Sequence, residues 1–217
     1  MNSFLNYYQS EIKKYGGLDK YVNSKSIEKK PLLDRIRKYA KNRKILEAGC
    51  GSAVNSLFLA KNNFDVTGLD RDKEMLKLAE DNAKFLNCKI KLIEGDIKDL
   101  SENKFDVVFN HGVLEHYSDT DIIKLINAEL SVGEYAVISI PSNFFKQEQA
   151  ILGDERFMSK SKWKNIISKS QGKLIEEFSY FYDSDELKIR FMKKVSLMTF
   201  NLLPFKKPYL GFVVGRK

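Results

Sequence analysis

The chain has 217 residues, 43% of them hydrophobic, and a formal net charge of +8 from 37 basic and 29 acidic side chains. That length supports one sizeable core and is short for two domains of ordinary size. No apolar run approaches the roughly 20 residues that span a bilayer, so no membrane span is predicted. With two cysteines and two histidines, the composition argues against a disulfide framework and against a structural zinc site.

The pattern of charged residues indicates the class of partner, and the first residues and the cysteines indicate the cellular compartment. A basic excess can indicate a nucleic-acid partner, but here acidic and basic residues are interleaved along the chain, as on an ordinary solvated surface. Nucleic acid is therefore the less favoured class of partner. The first eight residues lack the basic head and apolar stretch of a signal peptide, and the two cysteines fit reduced thiols. We therefore expect a cytoplasmic protein; its oligomeric state is not indicated.

The first part of the chain predicts helices followed by a regular α/β alternation. Residues 1–30 are polar, tyrosine-rich and broken by Gly16-Gly17, which predicts two short helices that cap a cleft. Pro31 opens a third helix that runs to Tyr39. Strands and helices then alternate to about residue 140, which favours a parallel sheet with crossover helices. The predicted strands include 64–70, 90–94, 105–109 and 135–140, and the helices include 52–60, 72–87 and one capped by Asp119 or Thr120 that ends at Gly133.

The pattern changes after Pro141. Residues 142–158 have no clear period but contain several aromatics, so this segment is either a lid over substrate or a packed excursion. Ser159 caps a further helix, and residues 174–182 alternate as a sixth strand. Residues 185–203 combine an apolar stripe with lysines, which predicts core packing, with a mobile substrate cover or membrane-surface contact as alternatives. Residues 209–215 form a closing strand.

A glycine turn follows the first predicted strand. Glu47 ends that strand, and Gly49 and Gly51 lead directly into a helix, so bare backbone can lie against a ligand. A dinucleotide fingerprint would place a third glycine where the chain has Val54, and no Gly-Lys-Ser/Thr phosphate loop is present. Glu47 would repel pyrophosphate and attract a cation. The turn therefore predicts a nucleoside cofactor that carries positive charge.

Later strands of the predicted sheet also end in polar residues. Asp70 follows Gly51 by 19 residues, which places its carboxylate to accept hydrogen bonds from ribose hydroxyls. Asp96 after the third strand can accept a hydrogen bond from the exocyclic amine of an adenine, while Ile97 packs on the ring. The fourth strand ends at Asn110. All of these positions lie at the carboxyl edge of the sheet, where open parallel sheets bind ligands.

Taken in order, four motifs resemble those of the class I S-adenosylmethionine-dependent methyltransferases, in particular the small-molecule branch. The motifs are Glu47-Ala48-Gly49-Cys50-Gly51, Gly68-Leu69-Asp70, Glu94-Gly95-Asp96-Ile97 and Phe105-Asp106-Val107-Val108-Phe109-Asn110. The resemblance covers residues 35–140 well. It implies a single α/β domain over residues 1–217 with a Rossmann-like, seven-stranded, mostly parallel sheet. One strand of that sheet is expected to be antiparallel, with helices on both faces.

The resemblance also implies roles for individual residues. Glu47 and Gly49 would border the methionine end of S-adenosylmethionine, and Asn110 would lie near its sulfonium. The full set expected to bind the cofactor is Glu47, Gly49, Cys50, Gly51, Asp70, Arg71, Asp96, Ile97 and Asn110. His111 and His116 follow the fourth strand, where a histidine can act as general base; we favour His116 as the catalytic residue. His116 could instead shape the pocket or pair with Glu115.

Absent motifs narrow the methyl acceptor. The Asn/Asp-Pro-Pro-aromatic motif of enzymes that methylate exocyclic amines of bases is replaced by Asn110-His111-Gly112-Val113, and neither cysteine lies near the strands that carry the nucleophile of cytosine C5 enzymes. We therefore predict methyl transfer to O, N or C of a small-molecule acceptor. The alternatives are an RNA methyltransferase with the same cofactor and a cofactor-binding protein without catalysis.

Overall fold

A computed structural model describes residues 3–100, 104–150, 152–180 and 209–217. Within these residues, seven strands form one sheet. They are β1 (Lys44–Ala48), β2 (Asp65–Asp70), β3 (Lys91–Glu94), β4 (Phe105–His111), β5 (Gly133–Pro141), β6 (Gly172–Tyr180) and β7 (Tyr209–Arg216). Their spatial order is β3-β2-β1-β4-β5-β7-β6.

The directions of the strands follow the expected pattern. β1 pairs in parallel with β2 and with β4, β2 with β3, and β4 with β5. β7 runs antiparallel to both of its neighbours, β5 and β6. The predicted seven-stranded, mostly parallel sheet with one antiparallel strand is therefore confirmed. The carboxyl ends of β1, β2, β3 and β4 lie along one edge of this sheet.

Seven α-helices surround the sheet in the described residues. They are α1 (Ser3–Lys14), α2 (Leu18–Glu28), α3 (Lys30–Tyr39), α4 (Val54–Lys61), α5 (Lys73–Phe85), α6 (Asp119–Val132) and α7 (Lys160–Ser168). Alternate strand residues pack on opposite sides: Val108 joins the core formed with α6 and α7, whereas Val107 joins the core formed with α3 and α4. Helices thus cover both faces, as predicted. None of the described helices is both long and apolar enough to cross a membrane.

Two local predictions differ from the structure. The N-cap of α6 is Ser118, whose Oγ accepts a hydrogen bond from the backbone N–H of Asp121 at 3.2 Å. The predicted caps Asp119 and Thr120 are therefore wrong. The Asp119 carboxylate instead forms an ion pair with Arg156 at 2.6 Å, which ties the start of α6 to the segment after β5. In addition, β4 extends two residues beyond the predicted end at Phe109 because Asn110 and His111 continue its pairing with β5.

The segments that flank the sheet fall partly inside the described residues. Residues 142–150 and 152–158 are mostly irregular, and Phe145 packs against Phe157 and Tyr209 with ring centroids 5.7 and 5.5 Å apart. Packing of this kind fits the predicted excursion. A role for 142–158 as a lid stays a prediction. The predicted cover segment 185–203 lies outside the described residues, as do the last two residues of the predicted strand 174–182.

A buried polar pair lies between β4 and α6. The side-chain amide of Asn110 donates a hydrogen bond to Glu129 Oε1 at 2.7 Å, and both residues are fully buried. The amide oxygen of Asn110, Oδ1, and the second carboxyl oxygen of Glu129, Oε2, have no hydrogen-bond partner among the described residues. Burial raises the pKa of Glu129 from 4.5 to about 8, so its carboxyl group is protonated near neutral pH.

The buried carboxyl of Glu129 predicts a measurable pH dependence of stability. Between about pH 5 and 8 the folded chain keeps a proton that the unfolded chain releases, so the contribution of Glu129 to stability is lost as the pH rises. Glu129→Gln keeps an oxygen for Asn110 but does not titrate. We therefore expect its unfolding free energy, measured by urea denaturation, to fall less steeply than that of the unmodified chain, by about 1.4 kcal/mol per pH unit.

Glu134→Gln is a suitable control because Glu134 is exposed on β5. This variant should keep the slope of the unmodified chain. Equal slopes for Glu129→Gln and the unmodified chain would mean that Glu129 is ionised in the folded protein.

Candidate active site

The glycine turn between β1 and α4 lies close to the end of β4. Gly49 and Gly51 have φ angles of +75° and +51°, and the N–H of Gly49 donates to the carbonyl of Leu69 at 2.8 Å. A Cβ at Gly49 would lie only 2.7 Å from Val113 Cγ2. Glycine is therefore required at position 49 both by the backbone angle and by the close approach of Val113.

Asp70 joins the glycine turn to the end of β2. Its Oδ2 accepts a hydrogen bond from the backbone N–H of Gly51 at 2.7 Å, and its Oδ1 accepts one from the N–H of Asp72 at 2.9 Å. Each carboxylate oxygen has a further lone pair. The carboxylate is thus held in one orientation and can still accept hydrogen bonds from a ligand.

A cavity of about 310 Å³ opens at this edge of the sheet, within the size range of small-molecule sites. It brings together six of the nine residues predicted to bind the cofactor, together with the predicted base: Gly49, Gly51, Asp70, Arg71, Asp96, Ile97 and His116. Asp96 also caps a short helical turn by accepting a hydrogen bond from the N–H of Lys98 at 2.9 Å. Acidic side chains and exposed backbone therefore face one common space.

The other three predicted residues do not line the cavity. Glu47 is buried and its oxygens accept hydrogen bonds from Asn55 Nδ2 at 2.7 Å and from the backbone N–H of Ser56 at 3.0 Å, so it stabilises the first turn of α4. Asn110 faces α6, as described above. Cys50 is buried in the turn, and burial raises the pKa of its thiol, so the thiol stays protonated.

Several cavity residues were not predicted from the sequence. Tyr8 reaches the cavity from α1, and its hydroxyl lies 3.7 Å from the position that a Cβ on Gly51 would occupy. Burial raises the pKa of the Tyr8 phenol, so it remains a hydrogen-bond donor. Leu152 and Asp154 line the opposite side. The tyrosine-rich start and the aromatic segment after β5 were the available signals, but neither identified particular residues.

His116 forms a pair with Asp154 at the cavity. Its Nδ1 lies 2.6 Å from Asp154 Oδ1, and the histidine side chain is 18% exposed. A carboxylate at Nδ1 favours the tautomer with the proton on Nδ1, which leaves Nε2 as a hydrogen-bond acceptor. Glu155 lies close by. One ring nitrogen of His116 and one carboxylate oxygen each of Asp154 and Glu155 all lie within 4.8 Å of one another.

Comparison with known proteins agrees with the ordered motifs. A family model described as a methyltransferase domain matches residues 45–132. The ubiquinone biosynthesis O-methyltransferase of Pelagibacter ubique is 27% identical over 166 residues, or 75% of this chain and 68% of that protein. Its Vibrio parahaemolyticus namesake is 32% identical over 121 residues, which are 54% of this chain and only 52% of that protein. Residues 45–132 therefore match a methyltransferase domain, which confirms the resemblance to methyltransferases that the ordered motifs predict.

Solved structures agree on the fold of this methyltransferase. Magnesium protoporphyrin IX methyltransferase from Synechocystis, crystallised with S-adenosylmethionine, superposes with a TM-score of 0.62 at 14% identity. The match covers 88% of this chain and 81% of the Synechocystis chain. At this identity the likeness shows the fold alone.

S-adenosylmethionine is the compound with which the Synechocystis methyltransferase was crystallised, and the residues present at the cavity of this chain fit it. Gly49 and Gly51 bring backbone without side chains to the cavity, and the Asp70 carboxylate retains lone pairs there that can accept hydrogen bonds. Asp96 and Ile97 line another part of the same cavity. Which of these residues contact which part of the cofactor stays a prediction.

A second histidine, His111, lies on the cavity wall of the methyltransferase. Its Nδ1 is 3.1 Å from Ser139 Oγ, and Ser139 Oγ is 2.6 Å from the hydroxyl of Tyr180. Burial, together with the positive charges of Lys29 and Lys25, holds the pKa of His111 well below its usual range. This imidazole is therefore neutral near pH 7.

Glu115, the residue before His116, carries a buried carboxyl group. It is 3% exposed, and its Oε2 has no hydrogen-bond partner among the described residues. Burial raises its pKa to about 8, with smaller contributions from Glu155 and Asp154. The carboxyl group is therefore protonated near neutral pH and adds no negative charge beside the cavity.

Proposed function

We propose that this methyltransferase transfers a methyl group from S-adenosylmethionine to an oxygen atom of a small-molecule acceptor. The observation that carries the proposal is the juxtaposition, in one cavity, of the glycine turn and Asp70 with the His116–Asp154 pair. The names of the Pelagibacter and Vibrio relatives, both O-methyltransferases, support oxygen as the accepting atom. Because the matched region spans only part of those proteins, their substrate is not carried over.

The proposed reaction depends mainly on positioning. S-adenosylmethionine supplies an electrophilic methyl group on a positively charged sulfur. Asp70 and Asp96 would hold the nucleoside by hydrogen bonds, and Ile97 would pack against it. Tyr8 from α1 closes the cavity beside Gly51 and reduces access of water. Such fixed geometry accounts for a large share of rate acceleration in a displacement reaction.

His116 is proposed as the general base. Its Nε2 would take the proton of the acceptor hydroxyl while Asp154 stabilises the imidazolium that forms. Asp154 is exposed, with a side chain that is 60% accessible, so solvent can remove the proton afterwards. The acceptor proton is thus taken up at Nε2 of His116, while the Nδ1 proton can leave to water by way of Asp154.

Methyl-labelled S-adenosylmethionine and a metabolite extract test the proposal. We expect a labelled small molecule whose formation falls about 100-fold in His116→Gln, a loss typical of removing a general base. Asp154→Asn should reduce the rate less, because it leaves the imidazole in place. The readout is label recovered in the organic-extractable fraction, with calorimetric binding of S-adenosylhomocysteine measured in parallel.

Asp121→Asn on α6 serves as the control, since this partly exposed acid does not line the cavity. It should turn over as the unmodified chain does. Unchanged turnover in His116→Gln would remove His116 from the reaction. Absence of both labelled product and S-adenosylhomocysteine binding would contradict the proposed function itself.

A further inference from the structure

His111 occupies a particular place at the end of β4. Its ring lies on the cavity wall and 5.0 Å from the ring of Tyr209, while its Nδ1 faces Ser139 and Tyr180 behind the wall. Ser139 is fully buried and Tyr180 is 4% exposed. Nε2 has no hydrogen-bond partner among the described residues. The imidazole is thus bonded on its inner side and open on the other.

Counting hydrogens in this cluster determines the tautomer. Tyr180 and Ser139 each carry one hydroxyl hydrogen, and the Tyr180 hydroxyl lies 2.6 Å from Ser139 Oγ and 3.4 Å from His111 Nδ1. If Tyr180 donates to Ser139 and Ser139 donates to Nδ1, every hydrogen has an acceptor. If instead Nδ1 carried the proton and donated to Ser139, one of the two buried hydroxyl hydrogens, that of Ser139 or that of Tyr180, would lack an acceptor among the described residues. That loss costs about 1–3 kcal/mol.

His111 therefore carries its proton on Nε2 and differs from His116 in chemistry. His116 offers an unprotonated Nε2, whereas His111 offers an N–H donor on the wall of the same cavity. An N–H donor fixed on the cavity wall stabilises negative charge that develops on a nearby oxygen.

We propose that His111 Nε2–H binds the acceptor oxygen as that oxygen loses its proton, and that the preferred acceptors are acidic hydroxyl compounds, namely phenols or enols. The proposal rests on the proposed function and deepens it by naming the substrate class. The hydroxyl proton goes to His116, a lone pair of the oxygen forms the new C–O bond, and the electron pair of the broken C–S bond stays on sulfur. No oxidant or reductant is required.

In this arrangement Ser139 and Tyr180 are positioning residues. They do not line the cavity and act only by fixing the tautomer and the orientation of His111. Asn110, the preceding residue on β4, faces α6 and takes no part. His111 at the end of β4 thus binds the acceptor oxygen, and His116 in the segment after β4 removes its proton.

Calorimetry with a pair of phenols of similar size tests the acceptor class. The probes are 4-nitrophenol, which ionises readily, and 4-methylphenol, which does not, added near neutral pH to the full chain saturated with S-adenosylhomocysteine. We expect 4-nitrophenol to bind at least about tenfold tighter, a difference of about 1.4 kcal/mol. His111→Gln, which keeps an N–H donor, should retain most of that ratio, and His111→Leu should bring it close to one.

Equal affinities in the unmodified chain, or an unchanged ratio in His111→Leu, would overturn the proposal. Because every titration starts from the bound product of the cofactor, a failure here is separate from a failure of the proposed function, in which S-adenosylhomocysteine itself does not bind.

Nitrogen NMR of histidine side chains tests the positioning role of Ser139 and Tyr180. We expect the His111 Nδ1 to resonate as an unprotonated nitrogen and the Nε2 as a protonated one. Tyr180→Phe combined with Ser139→Ala should leave a mixture of tautomers and lower the preference for 4-nitrophenol, whereas Tyr180→Phe alone should retain part of it. A protonated Nδ1 in the unmodified chain would contradict the assignment.

Discussion

Asp70→Ala is expected to weaken binding of S-adenosylmethionine and S-adenosylhomocysteine by about 100-fold or more. Hydrogen bonds to a charged group contribute about 1.5–3 kcal/mol each, and the variant would lose those proposed for the two ribose hydroxyls. It would also leave the N–H of Gly51 without its acceptor, so the glycine turn would lose a contact that holds it in place. Isothermal titration calorimetry with both compounds measures the effect.

Asp65→Ala provides a matched control at the opposite end of the same strand, where the side chain is exposed. Its affinity should stay within about a factor of two, since an exposed acid away from the cavity contributes little. Circular dichroism of both variants distinguishes lost binding from lost folding. A folded Asp70→Ala chain that binds as tightly as the unmodified protein would contradict the role given to Asp70.

Gly49→Ala is expected to have the second largest effect, on both stability and binding. The new Cβ would lie 2.7 Å from Val113 Cγ2, and a φ of +75° is unfavourable for alanine. Overpacking of this kind costs about 1–3 kcal/mol, and the left-handed backbone adds about 1–2 kcal/mol. We expect an unfolding free energy lower by about 2–5 kcal/mol in urea titrations, and weaker binding of S-adenosylhomocysteine because Val113 also lines the cavity.

Gly153→Ala separates the effect of the left-handed backbone from the effect of the close approach to Val113. Gly153 has a φ of +88° but no atom within 4 Å of its Cβ position, so this variant carries only the backbone strain. Adding Val113→Ala to Gly49→Ala should recover part of the lost stability by making room for the methyl group. If Gly49→Ala and Gly153→Ala were equally destabilised, close approach of Val113 would not be the reason for glycine at position 49.

Much of the sheet and half of the site could be predicted because they depend on local patterns. Short apolar runs punctuated by glycines and acids located β1, β2, β3 and β4, and the carboxyl-edge rule brought Asp70 and Asp96 together. The direction of the Asn110 side chain could also have been predicted, because residues two apart on a strand point to the same face of the sheet. Val108 packs against α6, so Asn110 does too.

The same alternation of side chains along a strand explains why Glu47 points away from the cavity. Ile45 belongs to the core on the α3 and α4 side, and Glu47 two residues later faces that side, where Asn55 and Ser56 meet it. A binding role inferred from the motif alone ignored this alternation. By contrast, Tyr8 and Asp154 lie far along the chain from the glycine turn, and no local pattern specifies which residue of a helix or an irregular segment will reach the cavity.

The pairing of β6 with β7 places two aromatic residues where they could change which acceptors bind. Tyr180 and Tyr209 are cross-strand partners at its last described pair, and their rings stack with centroids 5.5 Å apart beside His111. Exchange of these two aromatic rings would change the wall beside His111 while the backbone pairing of β6 with β7 is kept. Evolution could therefore vary this wall without disturbing β1, β2 and β3 in the opposite half of the sheet, whose carboxyl ends carry the residues proposed to hold the nucleoside.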